Sequence, residues 1–516
     1  MKKLIQLFNQ KKYDEIINIT KKNYDENNFE NQTIINFYGL ALQAKGQTKL
    51  SILVFKKLLK KNSTSHIFLN NLGTSYYNEG DFQSAELYFK KSIDISPKYF
   101  PPYLNLKKIY LEIQKPKKAL NILLKALDVA NDMEKIQFFF EIAKIYRAIG
   151  DFEEAKKIIN KILILDSNNS RAHKFLSTIT NYAFDNNNHL QQLEKILKLD
   201  KLSNQDYINI YFALGKAYEQ KLEIDKAALF YKKANFITNK IVDYNNFDQI
   251  KLIDEIRSFF DQITSYELFK KKPNGIKIIF ICGMPRSGST LVEQIISSHK
   301  LVKATGENNY LSSIINKKYI LKNSINNKKL STDLSDLNNL IESEYFSKNL
   351  IRNSGYKIFT DKTFQNFYWI GFIKLFFPNS IIINTVRNFK DNAFSIYKNS
   401  FSHKIMDWGY NEQNIVNYFR NYQNLMNYWN YKFPNFIHQI NYEKIVSNPL
   451  FEINYLLKVC GLEFDENCLE FYKNNNSVFT TSNVQVRSKI TTKAVNSHKK
   501  FYIYLSNFFD DLDKLN

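Results

Sequence analysis

The stretch LNNLGTSYYNEGDFQSAELYFKKSIDISP, residues 69–97, constrains the fold most, because its pattern returns along the chain. Leu72-Gly73, Tyr76, Ala85 and Phe89 are followed by Leu106, Tyr110, Ala119 and Ala126, and Ala85 to Ala119 is one period of 34 residues. A further copy gives Ile142-Ala143, Tyr146, Ala155 and Ile159, with GDFEEA (150–155) echoing GDFQSA (80–85). Another gives Leu214-Gly215, Tyr218, Ala227, Tyr231 and Ala234, and a weaker one begins near Tyr38-Gly39. A self-similar unit of this length is a pair of antiparallel helices. The small residue on the first helix lets the second approach, and the aromatics fill the gap between neighbours. One pair cannot bury its apolar face alone, so pairs stack into a solenoid.

These copies resemble the tetratricopeptide repeat. The resemblance implies an α-solenoid over residues 1–240 whose concave face takes a partner chain. The aromatics are read as core, so no partner-binding residue is assigned among them. DQIKLIDEIRSFFDQITSYELFKK (248–271) has helical apolar spacing and is expected to dock the array onto the next domain. KPNG (272–275) is turn chemistry. The expected division is a repeat array at 1–240, a helical linker at 241–275 and a second domain at 276–516.

Bulk composition narrows the function classes. The net charge is +22, but the lysines are spread along the chain rather than blocked, and no nucleic-acid recognition motif accompanies them. No nucleic-acid partner is expected. Three cysteines, Cys282, Cys460 and Cys468, are too few and too scattered for a disulfide framework or a zinc site. They fit a reducing compartment. The apolar run at the N-terminus is broken at Gln6, and no stretch of about 18 apolar residues occurs. A cytoplasmic protein without a membrane span is expected.

IIFICGMPRSGSTLVEQIISSH (278–299) reads as strand, glycine turn and helix. IKIIFIC (276–282) has the apolar, β-branched character of a buried parallel strand. Loop amides and a helix N-terminus make an anion site, with Gly283 and Gly288 allowing close backbone approach. The nucleoside-triphosphatase pattern GxxxxGK[ST] would place Lys where Ser289 stands. Its metal-binding Asp is also missing, since the next strand, SIIINTVRN (380–388), ends Asn384-Thr385-Val386-Arg387. The loop is therefore read as gripping an anion without a metal, with Arg286 as an added cation. In TVRNFKDNAFSIYKN (385–399), Arg387 at the strand end and Ser395 eight residues on can converge on one phosphate. Asp391 is read as a helix cap rather than a ligand.

An Arg and a Ser at this spacing after PRSGST resemble the 3′-phosphate site of sulfotransferases, which use 3′-phosphoadenosine 5′-phosphosulfate. With repeats in front, the whole chain resembles the bacterial tetratricopeptide-repeat sulfotransferases, and its second half is similar to tyrosylprotein sulfotransferases. The resemblance implies a three-layer α/β domain of P-loop type around a parallel sheet. It implies that Pro285, Arg286, Ser287, Gly288, Ser289, Thr290 and Leu291 hold the 5′-phosphosulfate, with Arg286 on the sulfonate. It makes Glu307, in Gly306-Glu307, the base, and Lys362, in Asp361-Lys362, the cation at the leaving phosphate oxygen. It places Arg387 and Ser395 on the 3′-phosphate and Tyr442 at the nucleotide. Ser482, Gln485, Arg487 and Lys489 belong to a segment that closes over the cofactor. The chain departs from the family at Phe389, where the usual motif has Pro, at Ser289, and in SHKKF (497–501), where a Trp is common.

Sulfuryl transfer to a hydroxyl asks for positioning and charge stabilisation more than covalent work. A carboxylate base and cations at the transferred group are the right types. The expectation is a metal-independent sulfotransferase acting on a hydroxyl of a protein tyrosine, a saccharide or a metabolite, with a protein or glycan acceptor docked on the array. Two rivals stand beside it. One is a nucleoside-triphosphate enzyme, NTPase or kinase, with a degenerate loop. The other is a repeat scaffold with a catalytically inactive nucleotide-binding domain. His299 is read as helping to end the loop helix, and Trp369, Trp408 and Trp429 as core.

Overall fold

The structure, a computed structural model, describes residues 1–25, 31–184, 188–263, 275–307, 310–315, 345–346, 355–401, 404–474, 477–480 and 482–515. Helical pairs follow the repeat pattern: Gln32–Ala44 with Thr48–Lys61, His66–Glu79 with Phe82–Ile95, Pro101–Glu112 with Pro116–Val129, Asp132–Ile149 with Phe152–Leu165, and Asn204–Gln220 with Ile224–Ile241. The small residues act as expected. A Cβ on Gly73 would lie 2.8 Å from the Phe89 ring, so glycine there sets how closely the pair packs. Ser65 and Asp81 cap the helices that they precede, and Gly80 closes the intervening turn at φ 89°. An irregular pair, Ser170–Ile179 and Asn188–Ile196, stands where the sequence pattern gave no copy.

The chain divides into two compact units, Met1–Ile145 and Tyr146–Asn516. The first has its own core of Ile35, Leu42, Phe55, Leu58 and Leu72. In the second, one core runs from the last repeats to one face of a sheet, taking in Ala213 and Tyr231, then Phe394 and Phe501. The compact units therefore divide at a different place from the array boundary at 240. Tyr231 and Asn235 are the reason: Asn235 Nδ2 donates to Tyr397 O at 2.9 Å. The helix Asn246–Asp261 buries Ile253, Ile256 and Phe260, and the Phe260 ring fills the space that a Cβ on Gly371 would need. It docks on this core as its apolar spacing suggests. Most of the KPNG turn lies outside the described residues.

Five strands, β1 (Lys277–Gly283), β2 (Val302–Ala304), β3 (Ile358–Asp361), β4 (Ile381–Val386) and β5 (Ile437–Asn441), form a parallel sheet in the order β2-β3-β1-β4-β5. Alternation in β1 feeds both faces. Ile278, Phe280 and Cys282 enter the core shared with the last repeats, while Ile279 and Ile281 meet Val292, Ile295 and Ile296 of the loop helix. The chain is thus an α-solenoid succeeded by a three-layer α/β sandwich. All three tryptophans are fully buried. Among the described residues, no helix is long and apolar enough to cross a membrane.

Candidate active site

All five strands end on the same side, where ligand crevices of parallel sheets lie. β2 runs on to Glu307, β3 to Lys362, β1 to the glycine loop, β4 to Arg387 and β5 to Tyr442. The strand order puts Glu307 and Lys362 on one side of the loop, and Arg387 and Tyr442 on the other.

The loop is shaped by contacts at both ends, with Ser287 N donating to Met284 O at 3.2 Å. Gly283 is paired with Thr385 and has φ 133°; a Cβ there would lie 2.5 Å from Thr385 O. Ser287 Oγ lies 2.6 Å from Thr385 Oγ1, and Asn392 Nδ2 donates to Pro285 O at 2.6 Å. Gly288, at φ 105°, opens the loop helix Ser289–Ser297, and no side chain caps it. The N–H groups of Ser289, Thr290 and Leu291 have no intrahelical acceptor and face the loop, the condition for anion binding. Thr290 Oγ1 lies 3.3 Å from Thr480 Oγ1.

Two guanidinium groups stand beside these amides. Arg286, at φ 68°, donates from Nε to Ser395 Oγ at 3.2 Å, from Nη1 to Ser482 Oγ, and from Nη2 to Gln485 Oε1 at 3.0 Å. Arg387 donates from Nη1 to Arg286 O at 3.1 Å and from Nη2 to Ala494 O at 2.7 Å; its plane lies over the Tyr442 ring at 4.7 Å. Its buried Nε has no partner among the described residues. Burial, then the charge of Arg387, lowers the Arg286 pKa to about 10. Among the described residues neither guanidinium has a carboxylate within ion-pair range. Two adjacent cations, neither in ion-pair contact with a carboxylate among the described residues, beside a helix N-terminus without a side-chain cap are a chemistry suited to a polyanion.

On the other side, Lys362 Nζ is buried and meets Glu307 Oε1 at 2.5 Å. Lys362 N donates to Gly306 O at 3.0 Å, so β3 carries the Gly306-Glu307 segment directly. Beneath them Glu293 accepts from Gly306 N at 3.2 Å and Thr360 Oγ1 at 2.9 Å, and burial raises its pKa. Asp361 accepts from Tyr345 OH, Thr363 N and Asn366 Nδ2, and burial raises its pKa as well.

The structure therefore brings together Pro285 to Leu291, Arg387, Ser395, Tyr442, Ser482 and Gln485, with Glu307 and Lys362 at the adjoining strand ends. Arg487 faces elsewhere, toward the carbonyls of Asn474 and Ala148. Lys489 is exposed. Asp391 does not cap its helix, Phe389–Tyr397; Asn388 does, accepting from Asp391 N at 3.2 Å. The Asp391 carboxylate instead holds Asn496 N, Ser497 Oγ, His498 N and His498 Nδ1. Asn388, by capping the helix, leaves that carboxylate available. His299 Nδ1 accepts from Leu301 N just past the loop helix, in keeping with a terminating role. Sequence reasoning missed Thr385, Asn392 and Glu293, which shape the site from beneath. Their signal is slight: polar residues in otherwise apolar strand and helix runs.

Residues 279–466 match the sulfotransferase family, and residues 66–99 and 136–169 each match the tetratricopeptide repeat. An uncharacterized protein of Aquifex aeolicus (strain VF5) is 27% identical over 424 residues, covering 80% of this chain and 55% of that protein. The chain thus spans about half the length of that relative. A Caenorhabditis briggsae protein provisionally named a protein-tyrosine sulfotransferase is 24% identical over 241 residues, covering 43% of this chain and 80% of that protein. The solved sulfotransferase domain of the Synechococcus PCC 7002 olefin synthase covers 45% of this chain and 95% of its own length, at 19% identity and a TM-score of 0.29.

Proposed function

We infer that this chain, which carries a sulfotransferase-family domain and tetratricopeptide repeats, moves a sulfuryl group from 3′-phosphoadenosine 5′-phosphosulfate to a hydroxyl acceptor. The observation that carries the reading is the pair of adjacent guanidiniums, half-buried Arg286 and buried Arg387, beside the uncapped helix and Ser395. The residues fit such a cofactor in two ways: the buried Arg387 Nε has no partner among the described residues, and the donors are cationic and amide, with no carboxylate in ion-pair range of Arg286 or Arg387 among the described residues.

When bound, the cofactor supplies a sulfuryl group activated for transfer. The chain's residues do the rest. The loop from Pro285 to Leu291, with Arg286, holds the phosphosulfate end. Arg387 and Ser395 hold the 3′-phosphate and so reject nucleotides without one. Tyr442, Ser482 and Gln485 complete the nucleotide side. Glu307 takes the proton from the acceptor hydroxyl. Lys362 provides a fixed cation where negative charge gathers on the leaving oxygen. The acceptor class is the hydroxyl of a protein or glycan presented by the repeat array, or of a smaller metabolite.

Calorimetric titration of 3′,5′-adenosine bisphosphate and of ADP, without metal, tests the reading on wild type and Arg387→Ala. The bisphosphate should bind, ADP should bind far more weakly, and Arg387→Ala should remove most of the difference. ADP with Mg²⁺ binding as well as the bisphosphate would overturn it in favour of a nucleotidase. A folded protein that binds neither would favour an inactive scaffold.

A further inference from the structure

Arg487 lies two residues beyond Gln485, in the same 3₁₀ turn, yet its guanidinium leaves the site. Nη1 donates to Asn474 O, and Nη2 donates to Ala148 O at 2.9 Å. Ala148 is in the last turn of the helix Asp132–Ile149, within the tetratricopeptide repeat matched at 136–169. Val478 N donates to the same Ala148 oxygen at 2.9 Å. Gly150, which ends that helix at φ 91°, lies under the arginine stem; a Cβ there would stand 3.2 Å from both Cδ and Nε of Arg487. One repeat carbonyl therefore fastens Val478 and Arg487. Between these two points lie Ser482 and Gln485, which hold two of the three donors of Arg286. Asn483 and Val486, also between them, are buried and keep the stretch against the domain.

We propose that Arg487 is a positioning residue, and that the repeat turn Ala148–Gly150 is the anchor that sets how Ser482 and Gln485 hold Arg286. The proposal rests on the cofactor reading of the site. Its consequence is that a tetratricopeptide repeat forms part of the cofactor site's support. Whatever shifts that turn changes the grip on the cofactor without touching it. The geometry calls for arginine: a planar fork reaches two carbonyls at once while its stem lies flat on a glycine.

The test measures 3′,5′-adenosine bisphosphate binding by calorimetry on the full chain. The variants are Arg487→Ala, Arg487→Lys, Gly150→Ala, the double variant Ser482→Ala/Gln485→Ala, and that double variant with Arg487→Ala added. Arg487→Ala should weaken binding by about tenfold, within the coupling that contacting residues share. Arg487→Lys, which reaches one carbonyl, should recover part of the loss. In the Ser482→Ala/Gln485→Ala background, adding Arg487→Ala should cost less than about twofold, because the groups it positions are already gone. A purely structural role would give the same loss in both backgrounds, and that result, or wild-type affinity in Arg487→Ala, would overturn the proposal. If Gly150→Ala fails to fold, the arginine variants decide. A wild type that binds no bisphosphate overturns the cofactor reading, and this proposal with it.

Discussion

Lys362 Nζ stands 2.5 Å from Glu307 Oε1, yet the lysine side chain is 1% exposed and the glutamate 50% exposed. The lysine is fixed at the end of β3 while the carboxylate reaches outward, which suits a fixed cation and an accessible base. Glu307→Gln keeps the shape and removes the basicity. It should lower kcat by about 10²–10⁴-fold, the usual worth of a positioned base, and leave bisphosphate affinity within about twofold. Steady-state assays with labelled phosphosulfate and calorimetry together check this. A near-normal kcat in Glu307→Gln would remove Glu307 from the role.

Gly288 has no room for a side chain. Its φ is 105°, and a Cβ would lie 2.7 Å from Tyr442 Cδ2. Gly288→Ala should destabilise the protein by about 1–3 kcal/mol through backbone strain alone. It should also weaken bisphosphate binding, because relief of the clash moves Tyr442 off Arg387. Tyr442→Ala removes the clash but not the strain. The double variant should therefore recover part of the lost stability and none of the affinity, as thermal melts and calorimetry can show.

These glycines were legible in the sequence because loop chemistry is local: Gly283 and Gly288 act within one strand-turn-helix unit, and the Arg387–Ser395 spacing within another. The repeats were legible for the same reason, through Gly73 against Phe89. What escaped was set by distant pairing. β2 and β3 are three and four residues long, too short for a hydrophobic pattern; β3 exists because β1 offers it an edge, and β2 because β3 offers the next. The part Asp391 plays depends on a chain segment 105 residues later, at Asn496. Arg487 follows Ser482 and Gln485 closely in sequence, but its side chain turns to Asn474 and Ala148 while theirs meet Arg286.

Asp391 shows how the C-terminal segment is held. Burial pushes its pKa up, but hydrogen bonds from the His498 side chain and backbone outweigh this and hold it at about 2. Because the folded pKa is depressed, the stability it contributes is present above the ordinary Asp range and is lost as pH falls through about 2. Asp391→Asn should destabilise the protein by about 1.5–3 kcal/mol at neutral pH, the scale of hydrogen bonds to a charged group. It should also weaken bisphosphate binding, since Ala494 O, which accepts from Arg387, lies two residues before Asn496. Urea unfolding and calorimetry check the two effects. Unchanged affinity in a destabilised variant would confine Asp391 to structure.

A buried histidine pair makes stability depend on mild acid. His173 Nε2 lies 2.9 Å from Ser167 O, an acceptor, so that nitrogen carries the proton. His173 Nδ1 then accepts from His189 Nε2–H at 3.0 Å, and His189 Nδ1 accepts from Tyr182 O–H at 2.7 Å. This chain of bonds is complete with both rings neutral; a further proton would have to reverse it, with Tyr182 turned to accept. Burial, then the neighbouring His173, pushes His189 down to about 3, and burial also lowers His173. An unfolded histidine takes up its proton near pH 6.5. Between there and about pH 3 the unfolded chain binds more protons than the folded one, so stability falls as pH falls. From pH 7 to 4.5 the loss should be roughly 2–4 kcal/mol by this linkage. His189→Phe keeps the ring volume and removes its own titration, leaving that of His173, so it should make the dependence shallower while lowering stability at pH 7, where Tyr182 OH and His173 Nδ1 lose their partner. Urea unfolding at several pH values from 7 to 4.5 measures both slopes, and equal slopes would place the acid sensitivity elsewhere.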